Sequence, residues 1–428
     1  MATPLNATHQ NALPGPENIT RVELHNGITV LARENFNSPT LSIKGYFPSG
    51  SLFDPDDKLG LSYLTASSLM MGNAHDDFQS LYNKIESVGA QLGFSAGTLT
   101  TSFSVHSLSE DLDLMLGLIA DCLRSPTFPN KEFNRLKIQM VTGLAIRAQD
   151  TAAMAALLFD QIVYAGHPYE RPDEGYIETV QAIEREDLID FYQRTFGPRG
   201  MVVSVVGAID SHKAVDSIRS ALGGWTNPKQ EDLPLLPELK PQRNAERKSI
   251  SIQGKSQADI VMGCQAPDRL SPDYFALRVG NNILGEFGMM GRLGQSVRED
   301  AGLAYYAYSS LSAGIGPGAW EMIAGVNPRD VDQTINLIQQ EARNFVSHPV
   351  SDEELSDSKS NFLGRMPLLL ESNSGVAVSL LNMERFNLGL DYFLRYPQII
   401  QSITAENILE ASRKYLDPDR LAVAVAGP

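Results

Sequence analysis

The sequence predicts an α+β protein built as two tandem, structurally similar domains, each an antiparallel-rich sheet layered with helices. Three observations predict it. At 428 residues the chain is too long for one ordinary core. Strand-like alternation and helical periodicity occupy separate runs rather than strict β-α units, which is the pattern of layered α+β folds. The chain also repeats itself. QAIEREDLIDFYQRTFGPRGMVVSVVG, starting at Gln181, aligns without a gap on QSITAENILEASRKYLDPDRLAVAVAG, starting at Gln401, an offset of 401 − 181 = 220. Ile183 falls on Ile403, Glu186 on Glu406, Pro198 on Pro418 and Gly207 on Gly427. A second match sets Glu132, Phe133 and Lys137 on Glu354, Leu355 and Lys359, at 354 − 132 = 222. Two registers at nearly one offset describe a duplication.

In chain order, a Pro- and Gly-punctuated start (1–16) is expected to be disordered. A first domain (17–226) opens with strands on either side of His25-Asn26-Gly27, a hairpin turn because Asn-Gly tolerates positive φ. A strand at 41–47 comes next, then helical periodicity at 60–71 and 76–88, the second carrying Asp76 and Asp77 in its first turn where they suit the helix dipole. Paired strands are expected at 91–105. Helices are expected at 112–123, 131–147, 152–164 and 187–196, then a strand at 201–206 and a helix at 212–222. Pro228, Pro234, Pro237 and Pro241, spaced among charges, mark a linker (227–246). A second domain (247–428) then restarts the order with strands at 249–252 and 259–265 and a helix at 272–284.

Composition narrows the function. The chain is 43% hydrophobic and 20% charged, as soluble globular proteins are. A formal net charge of −16 argues against nucleic-acid binding, which rewards clustered Lys and Arg, and favours cationic partners. Two cysteines, Cys122 and Cys264, exclude a disulfide framework and read as buried thiols. The stretch before Arg21 has neither a charged n-region nor an apolar h-region, and no apolar run approaches the roughly 20 residues a bilayer span needs. The expectation is a cytoplasmic protein with no membrane insertion.

The stretch Arg292 to Tyr306, RLGQSVREDAGLAYY, carries the candidate site. Leu293 and Val297 lie four apart on a helical stripe, Gly302 ends the helix, and a strand succeeds it. Arg298 and Tyr305 therefore flank a tight helix-to-strand turn, where a guanidinium and a phenol can converge on one ligand. The alternative is a pair between Arg298 and Glu299 or Asp300, with Tyr305 filling a core position. Gly285, Gly288, Gly291 and Gly294 recur every third residue, without the lysine and serine of a phosphate loop. They read as a mobile or close-approach loop. Gly314, Gly316 and Gly318 read as a hairpin turn, and Asp54, Asp56 and Asp57 as solvated or helix-capping carboxylates.

The run GRLGQSVREDAGLAYYAYS resembles the SRL…VRE…GLAY segment of the C-terminal domains of the pitrilysin and mitochondrial-processing-peptidase superfamily, the inverzincins. Tandem similar domains fit that superfamily too. The resemblance implies that Arg298 and Tyr305 bind substrate in a zinc peptidase site. It also implies a zinc motif on the first helix of the first domain, in a context like GLAHFLEHMMFKGT. Here that stretch is GLSYLTASSLMMGN, with Tyr63 and Ser67 at the two His positions, Ala66 at the Glu position, and Gly143 at the third-ligand position on a later helix. None is an imidazole, thiolate or carboxylate, so zinc has no ligand and its water no base. Independently of family, the seven histidines are never closer than 25 − 9 = 16 positions, too far to share one helix face.

These readings imply a non-catalytic subunit of a two-chain zinc peptidase, binding no cofactor itself. Its second domain would present Arg298 and Tyr305 to a peptide held at the zinc of a homologous HxxEH-bearing catalytic partner, and the chain alone would show no zinc peptidase activity. Two alternatives remain: a structural core-type subunit of a larger complex, and a metal-free peptide-binding homodimer.

Overall fold

The hairpin expected at His25-Asn26-Gly27 is the first regular feature of the computed structural model, which describes residues 13–428. β1 (Thr20–Glu23) and β2 (Thr29–Glu34) pair antiparallel across it, and Gly27 takes φ +89°, a backbone conformation that side chains rarely adopt. Of the stretch expected to be disordered, 1–12 lie outside the described residues. Leu13 to Pro16 are pinned by Asn18, whose Oδ1 accepts from the Gly15 N–H and whose Nδ2 donates to the Leu13 carbonyl.

β3 (Thr40–Phe47), β4 (Gln91–Ala96), β5 (Thr101–Leu108) and β6 (Val202–Gly207) complete a six-stranded sheet in the order β1-β2-β6-β3-β5-β4. Only β2 and β6 run parallel in it. Between and after these strands come α1 (Leu61–Ser68), α2 (Phe78–Ser87), α3 (Leu112–Arg124), α4 (Asn130–Arg147), α5 (Thr151–Val163), α6 (Ile177–Ala182), α7 (Arg185–Thr195) and α8 (Ser211–Leu222). The second half supplies β7 (Glu246–Ser251), β8 (Ala258–Ala266), β9 (Ala304–Leu311), β10 (Gly318–Val326) and β11 (Ala422–Gly427), in the order β7-β11-β8-β10-β9. Its helices are α9 (Tyr274–Asn281), α10 (Val331–Ser347), α11 (Asp352–Leu369), α12 (Asn373–Arg385), α13 (Tyr392–Ser402) and α14 (Ala405–Tyr415).

The sequence repeat becomes a repeat of topology. β2 through β6 correspond in order and pairing to β7 through β11, including the single parallel pair, β7 with β11. β6 and β11 are buried along their whole length, which is why both read as continuous apolar runs rather than as alternation. Helices keep the same offset: α5 begins at Thr151 and α12 at Asn373, and 373 − 151 = 222. Even their caps correspond, since Asp150 accepts from the Ala153 N–H and Ser372 from the Gly375 N–H.

Packing divides the chain into two compact units that trade segments. One holds the chain up to Leu144, Pro172–Leu235 and Met366–Arg395; the other holds Ala145–Arg171, Leu236–Arg365 and Tyr396–Pro428. A sheet has two faces, and the helices of one half cover only one of them. In the first unit α12 covers the other face, against β3 and β6. Asn373 Nδ2 donates to the Thr40 carbonyl at 3.1 Å, and Arg385 lies 4.9 Å over the Tyr46 ring while donating to Thr100 Oγ1. In the second unit α5 does the same against β8 and β11, where Ala422, Ala424 and Ala426 leave room for Phe159. Neither exchange is announced by the repeat, because helical periodicity reports an apolar stripe and not the sheet that will cover it.

Asp54 does cap a helix, as its position predicts, but it is buried rather than solvated. Its carboxylate accepts from the Gly60 and Ser62 N–H groups at 3.0 and 2.9 Å, at the start of α1. Burial pushes this carboxyl up to about 7 despite those bonds. Asp56 and Asp57 stay exposed. Cys122 and Cys264 are both free and buried.

Candidate functional site

The site is built from β9 and from the segment that joins α9 to it. The helix expected over 272–284 does not stop at Asn281. It widens into a π-helical turn, Asn282–Glu286, and a second π-helical turn, Gly294–Asp300, precedes Gly302 at φ +64°. The glycine series explains the departure from a regular α-helix. A Cβ on Gly285 would strike the Ser309 backbone nitrogen on β9; on Gly291 it would lie 2.8 Å from the Gly285 Cα; on Gly294, 2.5 Å from the Gly288 carbonyl oxygen. The loop folds onto itself and onto β9 through bare backbone, which only glycine allows. The contacts match the close-approach reading at Gly285, Gly291 and Gly294, whereas Gly288 takes φ +66° with open space where its Cβ would be. Gly285→Ala is therefore expected to cost about 1–3 kcal/mol, the usual penalty for overpacking, read as a lower midpoint in urea unfolding.

Leu293 and Val297 are buried, as their spacing predicts. Arg292 fastens the segment. Its guanidinium makes two bonds to Glu354, at 2.6 and 2.8 Å, with Glu341 at 3.7 Å and the Phe345 ring 5.2 Å away. The Glu354 bond raises the arginine pKa and lowers that of the carboxylate, so the pair stays ionised at neutral pH. Arg298, further along the same segment, is half-exposed. Its Nε lies 3.8 Å from Glu299 Oε1, a contact between two half-exposed groups that holds it weakly.

Tyr305 does not fill a core position; 64% of its surface is exposed. Its neighbour Tyr306 points the other way by strand alternation and donates its hydroxyl to Asp259, with burial and that bond both raising its pKa. A groove of about 520 Å³ runs along β9 from Tyr306 to Leu311 and is lined by Arg278, Glu286, Gly288, Met289, Gly294 and Arg298. Arg298 is thus on the groove, and Tyr305 stands at its end on the strand without forming part of the lining. Among the described residues β9 is the terminal strand of its sheet, so the groove runs beside backbone that pairs there with no further strand. Arg278 and Glu286, which complete the groove's charge, escaped the sequence reading. They lie eight positions apart across the π-helical turn, a spacing with no motif attached.

The former zinc positions hold nothing that fits a metal. Tyr63 and Ser67 are half-buried and Ala66 fully buried on α1, while Gly143 on α4 is exposed with no heavy atom within 4 Å of where its Cβ would be. Among the described residues, no group of three or more His, Cys, Asp or Glu is arranged to hold a metal ion. The donor chemistry required by zinc is missing from these four positions.

The chain is similar to known proteins along most of its length. Residues 29–171 match the family model described as insulinase (peptidase family M16), and residues 182–362 match the peptidase M16 inactive domain. An uncharacterized zinc protease of Mycobacterium leprae is 24% identical over 96% of this chain and 92% of its own length. Bovine mitochondrial cytochrome b-c1 complex subunit 1 is 23% identical over 66% of this chain and 58% of its own. A crystal structure titled peptidase M16 inactive domain, from Pseudomonas fluorescens, superposes with a TM-score of 0.88 at 26% identity, covering 96% of this chain and 98% of that one. A protease from Helicobacter pylori shares the fold at a TM-score of 0.89 and 20% identity, over 97% of this chain and 100% of that one. The two M16 models fall in tandem along the chain, the second beginning within the last helices of the first half, and the chain belongs to the M16 peptidase family.

Proposed function

We propose that this chain is the substrate-binding, non-catalytic subunit of a two-chain zinc peptidase, cytoplasmic in location. The zinc is held by a homologous partner that carries the HxxEH motif. The observation that carries the reading is an asymmetry within one chain. The first half has no zinc ligand at Tyr63, Ser67 or Gly143 and no general base at Ala66, while the second keeps Arg298 on an open groove and Tyr305 displayed on the strand beside it. An extended peptide can add its backbone to the free edge of β9, with Arg298 holding a carbonyl or carboxylate and the Tyr305 hydroxyl donating to the oxyanion that develops at the scissile carbonyl. No helix of the described residues is long and apolar enough to cross a membrane.

Reconstitution tests this. Peptide cleavage is measured for the chain alone, for an HxxEH-bearing partner alone, and for the mixture. The expected result is activity in the mixture only. Full activity from the partner alone, unchanged by adding this chain, sinks the proposal. A second reading, a structural subunit of a larger complex, is favoured by the similarity to cytochrome b-c1 complex subunit 1. It predicts a stable complex whose cleavage rate ignores Arg298 and Tyr305.

A further inference from the structure

We infer that the β9 groove selects peptides carrying a carboxylate, held by Arg298, while Arg278 and Arg365 neutralise the one acid on the lining, Glu286. The inference rests on the groove being a peptide site, as proposed above, and adds the chemistry of what it prefers. The net charge of −16 points the other way, towards cationic ligands, but the groove lining itself carries two arginines, Arg278 and Arg298, against one glutamate, Glu286.

The decisive point is which charges are already committed. Arg278 donates to both oxygens of Glu286, at 2.6 and 3.0 Å. Asn281 Nδ2 donates to the same carboxylate at 2.9 Å, and Arg365 stands 3.6 Å from it. A carboxylate so surrounded has little acceptor capacity left for a ligand cation. Arg298, by contrast, has one long contact, to Glu299, between half-exposed groups. Asp300, the next acid on the same turn, accepts from Gln295 at 2.6 Å. Two guanidiniums therefore surround one committed carboxylate, a third, Arg298, lines the same groove, and its acid contact, Glu299, is a single long pair between half-exposed groups that a forked ligand carboxylate can displace. A carboxylate fits it because guanidinium donors are forked to the spacing of two carboxylate oxygens.

Screening confines the effect to short range. At physiological salt the Debye length is about 8 Å, so the acidic surface beyond the groove does not cancel contacts made inside it. The preference is accordingly one of affinity once docked, and not of faster approach. The carboxylate has two possible sources, an acidic side chain or the C-terminus of the peptide, and both present the same group to the arginines.

The test uses the isolated full-length chain and fluorescence anisotropy with four labelled peptides of one length. They carry Glu with a free C-terminus, Gln with a free C-terminus, Glu with a C-terminal amide, and Lys with a C-terminal amide. The expected result is about tenfold tighter binding for carboxylate-bearing peptides than for the Lys amide, the size of one charge-assisted pair. If Gln with a free C-terminus keeps the affinity, the C-terminus is the source; if Glu amide keeps it, the side chain is. Arg365→Gln, at a half-exposed position that leaves the Arg278–Glu286 bonds in place, is expected to reduce the preference several-fold. Glu286→Gln is expected to increase it, because it removes the one negative charge between the arginines. Equal affinity for all four peptides, tighter binding of the Lys amide, or no measurable binding overturns the inference. Neither the partner nor proteolysis enters this assay. A carboxylate preference together with failed reconstitution therefore removes the subunit reading alone, and a working mixture with equal affinities removes this one alone.

Discussion

Tyr305→Phe is expected to lower peptide turnover by the reconstituted mixture about 10²-fold, the cost of removing one oxyanion donor in other acyl-transfer sites. The substitution is clean because the ring is 64% exposed on β9 and the sheet is paired through backbone, not through this hydroxyl. Stability should change by less than about 0.5 kcal/mol, as for most exposed positions away from caps and cores. A fall in kcat with KM nearly constant is the signature of a contact made only in the transition state. Arg298→Ala should instead raise KM as well, since a guanidinium that holds a carbonyl or carboxylate also holds the ground state. Steady-state kinetics on the mixture separates the two. Unchanged kcat in Tyr305→Phe would remove the phenol from the chemistry and leave the structural-subunit reading in front.

The second large effect concerns pH. Three carboxyls, Asp54, Asp160 and Glu321, are pushed up to about 7, chiefly by burial, with the charge of Asp160 contributing to the rise of Glu321. Tyr164, on the turn after α5, feels both acids of that pair, and Tyr308, on β9, feels Glu321; burial raises both phenols above their ordinary range. In the unfolded chain the carboxyls titrate near 4. Between about pH 4 and pH 7 the folded chain therefore holds protons that the unfolded chain has released, and stability falls as pH rises through that window. The loss is on the order of 4 kcal/mol for Asp54 and larger than that for the Asp160–Glu321 pair taken together. The opposite sign belongs to Asp76, Asp273 and Glu354, whose lowered pKa values contribute stability that is present above about pH 4 and is lost as acid protonates them. Thermal unfolding should accordingly show a higher midpoint near pH 5.5 than at pH 8, by several degrees. Glu321→Gln should be more stable than the parent at pH 8 and should flatten the pH dependence of the unit that holds β10. A parent whose midpoint rises from pH 5.5 to pH 8 contradicts this account.

Most elements were readable in advance for one reason: their signals are local. Asn26-Gly27 marks a turn whatever surrounds it, Asp77 caps α2 through the Ser80 N–H three residues on, and Gly302 ends its helix by its own φ. The π-helical turns were not readable, because Gly285 in the first meets Ser309 of β9 and Gly294 in the second meets the Gly288 backbone, and a contact between two segments leaves no periodicity in either. Arg298 was found through its family context, whereas Arg278, Glu286 and Arg365 come together only once α9 and α11 have packed.

By itself, then, the sequence determined the duplication, the order of strands and helices, and the absence of metal-binding donors at Tyr63, Ala66, Ser67 and Gly143, since residue identity and spacing are written in the chain directly. Only the tertiary structure decided that α5 and α12 cover sheets of the opposite halves, that Asp54 and Glu321 are buried enough to hold protons near neutrality, and that Arg278 and Arg365 meet at Glu286 beside the groove of Arg298. The physical reason is that an apolar stripe or a charge specifies what a segment needs, burial or a counter-charge, while which distant segment supplies it is settled by packing the whole chain at once.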